Sequence, residues 1–194
     1  MFSFGIITRA TALVVFFPVV TCLAAKGQDG PLQCGDKIQA VALYSPESNL
    51  ERSEMDTLNS ATASIDIAMY SFTDRSLAEE LVRLSRRGVR VRVYRDWREY
   101  EQERQRGSST TELLIAGGVE VRVKSSQDLM HFKSYVIDGA LLRTGSANWS
   151  LAGLKKQDND VHYESDPRLA KLFESRFSAM WERSTNFLPS RSQN

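Results

Sequence analysis

His131-Phe132-Lys133-Ser134-Tyr135-Val136-Ile137-Asp138, followed after a short interval by Gly145-Ser146-Ala147-Asn148, decides how the rest of the chain is read. The first stretch reads as a β-strand. Residues i and i+2 of a strand point the same way, so the imidazole of His131 and the ammonium of Lys133 share a face. A compact turn of small and polar residues comes next. An imidazole beside a fixed cation, with hydroxyl and amide donors nearby, is the equipment needed to hold and attack a phosphate.

Outward from this centre, strand and helix signals alternate. Gln39–Tyr44 reads as a strand, and Ser48-Asn49-Leu50-Glu51 as a capping box opening a helix towards Ala63. Ile65, Ile67 and Met69 alternate with Asp66 and Ala68 in a second strand. A helix from about Asp74 carries Leu77, Leu81 and Leu84 and stops at Gly88. Val89, Val91 and Val93 give a third strand. The charged stretch from Trp97 to Ser109 lacks apolar periodicity and reads as a loop or an exposed helix. A short helix over Thr111–Ala116, stopped by Gly117-Gly118, precedes a strand with Val119, Val121 and Val123. The His131 strand, a turn at Asp138-Gly139 and a strand over Leu141–Thr144 follow. A strand near Val161 and a helix from Pro167 to about Arg183 close the chain. Such alternation predicts an α/β fold: one mixed β-sheet flanked by helices.

The pattern His-x-Lys-x4-Asp, then Gly-Ser-x-Asn, resembles the signature of the phospholipase D superfamily, with His131, Lys133, Asp138, Gly145, Ser146 and Asn148 at its positions. Ser64–Thr73 is similar to the early strand and turn of the short, single-motif members, the Nuc-type bacterial endonucleases. Pro167–Trp181 is similar to their final helix, so the resemblance runs from about Ile38 to Arg183. It implies a phospholipase D-like nuclease fold and a single domain that forms a homodimer.

The first 24 residues stand apart from the fold. Arg9 is their one charge, Ala10 to Ala24 is an apolar run broken by Pro18, and Cys22-Leu23-Ala24 offers a cleavage site. Residues 1–24 therefore read as a secretory signal peptide, and the uncharged run is shorter than the roughly 18–20 residues that a membrane span needs. The expected product is exported, periplasmic or secreted, with no stable membrane span after cleavage. Residues 25–37 read as a flexible arm, 38–185 as the phosphodiesterase domain and 186–194 as a disordered tail. Cys34, the single cysteine left after cleavage, is either free or paired between chains.

Charge is nearly balanced, with 25 basic against 24 acidic residues. Bulk charge therefore argues weakly for a polyanion partner. Its distribution is uneven, however. Arg83, Arg86, Arg87, Arg90, Arg92, Arg95 and Arg98 form a basic block, read either as a solvated face or as a groove tracking a polyanion. Arg95, Trp97 and Arg98 are the candidate nucleic-acid contacts.

Phosphodiester cleavage needs a nucleophile, positive charge at the non-bridging oxygens and a proton for the leaving group. The resemblance gives His131 the nucleophile's role, through a phosphohistidine, and Lys133 that of the cation; Lys133, Ser146 and Asn148 are expected to bind phosphate. Asp138 lies on the opposite parity from His131 and is expected to be structural, as is Gly145. Short members of the superfamily carry a glutamate after the Gly-Ser turn that bonds the catalytic histidine. The best-matching position here is Asp158, with Asp160 the substitute. One histidine cannot be nucleophile and general acid at once, so a second copy of the chain would supply the other imidazole. His162 lacks a lysine two residues on and is not expected to fill that role.

No HExxH, CxxC or compact carboxylate cluster is present, so no metal and no cofactor are expected. Three functions remain in view. The first is a metal-independent, nonspecific endonuclease on DNA or RNA. The second is a phospholipase D acting on phosphatidyl head groups or cardiolipin. The third is a non-catalytic binder of nucleic acid or phospholipid.

Overall fold

The computed structural model describes residues 39–107 and 109–190. The leader, the arm with Cys34 and the last four residues lie outside the described residues. Seven strands form one mixed sheet in the order β1-β7-β6-β5-β2-β3-β4. They are β1 (Ala40–Ser45), β2 (Ser64–Met69), β3 (Arg90–Asp96), β4 (Glu120–Lys124), β5 (Lys133–Ile137), β6 (Leu141–Gly145) and β7 (Asn159–Glu164). β2, β3 and β4 run parallel, whereas β2-β5-β6-β7-β1 is antiparallel throughout. This is the mixed, helix-flanked sheet that the alternating signals predict.

Alternation along the strands sorts the side chains into two cores. Ile65, Ile67 and Met69 of β2, with Val91 and Val93 of β3, face the larger one. It is covered by α1 (Leu50–Leu58), α2 (Arg75–Arg86), α4 (Thr110–Ala116) and the short α5 (Leu151–Lys155). Ala68, Tyr94, Val136 and Leu142 face the other way, onto Phe173, Phe177 and Trp181 of α6 (Pro167–Trp181). Each fully buried aliphatic side chain contributes about 1.5–3 kcal/mol relative to exposure. Asp66 also points to the α6 side, where Arg90 and Arg92 bond it, and Arg92 lies over the rings of Phe177 and Trp181.

The structure refines local expectations. Asn49, not Ser48, caps α1, because its side chain accepts from Arg52 N–H. Of the loop and the exposed helix expected after Trp97, the structure has the helix, α3 (Trp97–Gln105), capped by Asp96. At the start of the expected tail, Phe187 pairs with Val123 and packs on Trp97 and Tyr100, while Asn186 accepts a hydrogen bond from Tyr94. No helix of the described residues is long and apolar enough to cross a membrane.

Candidate active site

The carboxyl end of β2 meets the amino end of β5 and the carboxyl end of β6 at one end of the sheet. The loops there are sewn together. Tyr70 N–H donates to Phe132 O at 2.8 Å, Trp149 N–H to Ser71 O at 3.1 Å, and Asp74 N–H to Trp149 O at 2.9 Å. Trp149 and Phe72, both fully buried, pack edge to face beneath them.

His131 lies just before β5 rather than within it, and is exposed. Its ring packs against Tyr70, with centroids 4.6 Å apart. Lys133 opens β5 and is buried, and its Nζ lies 3.2 Å from His131 Nε2 and 3.0 Å from the His131 carbonyl. The expected pairing of imidazole and ammonium is present. Nζ also sits 5.0 Å over the Tyr70 ring. Burial, and then the charge of Arg143, push the Lys133 ammonium below its ordinary range, while the Glu99 carboxylate pulls the other way.

Asn148 accepts from Ser71 N–H at 3.3 Å through Oδ1, which leaves its NH2 to donate to an oxyanion. Gly145 has a φ of 144°, and a Cβ there would collide with the Asp160 carbonyl. Only glycine lets β7 pass this closely. Asp138 lies at the far end of the β5–β6 hairpin. Its carboxylate accepts from Thr62 N–H and Oγ1, Ala63 N–H and Ser64 N–H, at 2.7–2.9 Å. Burial alone would raise its pKa; those hydrogen bonds outweigh it and hold the carboxyl below its ordinary value.

Three expected roles change. Asp158 is exposed in the segment between α5 and β7, and among the described residues neither it nor Asp160 bonds His131. Asp160 is taken instead by Ser146 and His162. Ser146 donates its one hydroxyl proton to Asp160 and accepts from Asp160 N–H at 3.0 Å, so it has no proton left for a phosphate. Lys133 and Asn148 are the expected phosphate-binding residues that keep side-chain donors facing this end of the sheet. Arg95 is fully buried against Glu103 and Thr111, because it shares the inward parity of Val91 and Val93. Trp97 packs on Phe187 and Tyr100, and Arg98, which is exposed, donates to Gln127 O at 3.1 Å.

The supporting groups were not singled out in the sequence. Glu54 and Arg143, both fully buried, form an ion pair at 2.6 Å, and Tyr135 donates to Glu54 at 2.8 Å. Arg143 also donates to Lys133 O and, at 3.0 Å, to Ala147 O. One guanidinium thus joins the lysine's backbone to the Gly-Ser-Ala-Asn turn. Asp96 fixes the approach to His131, accepting from Met130 N–H at 2.8 Å. The signal for Glu54 was present: an acid four residues from Leu50 and from Leu58, in the middle of an apolar stripe. Among the described residues no cluster of three or more His, Cys, Asp and Glu side chains is placed to hold a metal ion.

Comparison with known proteins decides the lineage. The family described as "Cardiolipin synthase, PLD-like domain" matches residues 55–181. The mitochondrial cardiolipin hydrolase of Xenopus laevis is 32% identical over 181 residues, 91% of this chain and 81% of that protein. The chain belongs to the phospholipase D superfamily. It is a phosphodiester hydrolase of that superfamily, and its fold is that of Nuc. Nuc from Salmonella typhimurium superposes with a TM-score of 0.72 at 24% identity, over 79% of this chain and 99% of that one. NucT from Helicobacter pylori gives 0.70 at 23%, over 78% and 100%. The mitochondrial cardiolipin hydrolase of Chlamydomonas reinhardtii is 33% identical over 66% of this chain, which spans 56% of that longer protein.

Proposed function

We propose that this superfamily member cleaves phosphodiesters through a phosphohistidine, without a metal, at a site completed by a second copy of the chain. The observation that carries the reading is the exposed His131 ring with the buried Lys133 ammonium 3.2 Å from it. A ring nitrogen of His131 attacks phosphorus, and the leaving alkoxide takes a proton from the partner copy's imidazole. That imidazole, now neutral, deprotonates the water that splits the phosphohistidine and releases the phosphomonoester. Lys133 and Asn148 balance charge on the non-bridging oxygens. His162 is paired with Asp160 at 2.9 Å, which supports drawing the second imidazole from another copy.

On substrate, the lipid reading gains over the nuclease reading. Part of the arginine block that favoured nucleic acid is spent on internal partners: Arg95 is buried against Glu103, and Arg92, with the exposed Arg90, pairs with the buried Asp66. Leu129 and Phe132, 42% and 38% exposed, flank His131 and suit a lipid surface. The relatives named above as cardiolipin hydrolases support a diphosphatidyl phospholipid substrate. Endonuclease action on DNA or RNA is the second reading. The exposed Arg98 and the half-buried Lys124, bonded to Gln127 O and Leu129 O along the loop leading to His131, favour it. Export is part of the proposal, supported by the leader over residues 1–24, and the N-terminus of the secreted product tests it.

The purified protein, incubated in EDTA with cardiolipin vesicles, plasmid DNA and RNA, separates the substrates. His131→Ala is expected to lower turnover roughly 10³-fold or more. Co-refolding equal amounts of unaltered and His131→Ala chains should leave about one quarter of the activity, since only unaltered pairs turn over. One half would mean that each copy works alone. Loss of all turnover in EDTA, restored by a divalent ion, would end the metal-free mechanism.

A further inference from the structure

On the α6 side of β7, beyond the helix, Asp160 and His162 stand in a row that ends at the Gly145-Ser146 turn. Asp160 Oδ1 takes the Ser146 hydroxyl proton and, at 3.1 Å, the Ser146 N–H. Asp160 Oδ2 takes His162 Nε2 at 2.9 Å. The Ser146 hydroxyl accepts in return from Asp160 N–H. Both oxygens of one carboxylate are thus used, one on the turn and one on the imidazole.

Such an arrangement poses an electrostatic problem, and the protonated form of His162 is placed to offset it. A carboxylate bonded to the turn that receives an anionic substrate repels it. His162's cross-strand neighbours are Thr144 and Ala42, which carry no charge, while Asp160 has Tyr44 opposite and Glu164 lies two residues beyond His162 on the same face. Among the described residues His162 is the basic side chain paired with Asp160. The Ser146 hydroxyl foremost, and then its N–H and the His162 charge, hold the Asp160 carboxyl below its ordinary range against the effect of burial.

We propose that His162 is a positioning residue for substrate phosphate: through Asp160 it fixes Ser146 and offsets the negative charge next to the phosphate-binding turn. This rests on the reading that the turn receives the scissile phosphate. Lys133 and Asn148 are the groups proposed to meet that phosphate, whereas His162 acts on the turn that carries Asn148, through Asp160 and Ser146.

The test uses bis(4-nitrophenyl) phosphate for turnover and inorganic phosphate for binding by calorimetry. His162→Phe should raise KM and weaken phosphate binding by a factor of roughly two to five, the worth of a partly exposed ion pair, with kcat within about twofold. His162→Gln, whose amide can still donate to Asp160, should recover most of the loss. In an Asp160→Ala background, His162→Phe should change neither quantity further. The proposal is overturned by unchanged KM and phosphate affinity in His162→Phe, by glutamine behaving like phenylalanine, or by an undiminished effect in the Asp160→Ala background. If the unaltered protein turns over nothing yet binds phosphate in a His162-dependent way, the hydrolytic reading fails and this one stands. Turnover with a KM indifferent to His162 does the reverse: hydrolysis stands and the positioning role falls.

Discussion

The two ends of the β5–β6 hairpin use polar groups in opposite ways. At one end Asp138, with a φ of 51°, accepts four hydrogen bonds from Thr62, Ala63 and Ser64 and ties the hairpin to the start of β2. At the other end Lys133 is buried beside the Arg143 charge, His131 is exposed, and the Asn148 amide is half used. The first end is satisfied and holds the fold. The second spends the Lys133 ammonium on the exposed histidine beside it and leaves the Asn148 NH2 to donate, with the buried Glu54–Arg143 pair behind. Two residues of one signature, Lys133 and Asp138, therefore serve different purposes five positions apart.

The strongest way to break this contrast is at the support of the reactive end. Arg143→Met leaves the Glu54 carboxylate buried and unpaired, and should destabilise the protein by about 3–5 kcal/mol in urea unfolding. Glu54→Leu combined with Arg143→Met should regain most of that stability, because an apolar pair of similar volume replaces a buried ion pair at little cost. Activity should stay low in the double variant, since the bonds to Lys133 O and Ala147 O remain lost. Full activity there would reduce the guanidinium to a fold-stabilising group.

At the satisfied end, Asp138→Ala should cost about 1 kcal/mol of stability, since the Thr62 and Ala63 donors it leaves are exposed and can turn to water, with kcat of the folded protein unchanged. The sign with pH follows from its depressed pKa. Its folded value lies below its unfolded one, so the stabilisation is present above the ordinary carboxylate range and is lost as acid protonates the folded form. Acid unfolding of Asp138→Asn should accordingly lack that component. The smallest effect is kinetic. Lys133 must be protonated to work, and its pKa is pushed down, so activity should fall on the alkaline side below the 10.5 of an ordinary lysine. Lys133→Arg should move that limb upwards, whatever its effect on the plateau.

The sheet and the final helix were legible in the sequence because they follow from strand parity and helical spacing; the His131–Lys133 pairing was read from the same parity and is present although His131 lies just outside β5. Parity also marks what was misread. Arg95 shares its side of β3 with Val91 and Val93, and that placement outweighed its membership of a basic run. The polar periodicity of α3 left loop and exposed helix both open; what fixes the helix is the Asp96 cap and the buried Glu103–Arg95 pair. The partner of Asp160 depends on which face of β7 lies near the Gly145 crossing. Spacing along the chain does not carry that information. Phe187 is similar, since its contacts with Val123 and Trp97 join residues far apart in sequence.

Arg143 bonds the carbonyls of Lys133 and Ala147 with one rigid, planar group. The gap between the two strands that deliver cation and amide is consequently set by the dimensions of a guanidinium, before any ligand arrives. Lengthening either connection by a single residue would throw the two out of step. The turn at Arg87-Gly88, which feeds β3 at the opposite end of the sheet, should absorb insertions freely. The end that carries Lys133 and Asn148 is in that sense gauged rather than moulded, and on the proposed function it selects by the width of a tetrahedral anion, whether a lipid or a polynucleotide lies beyond.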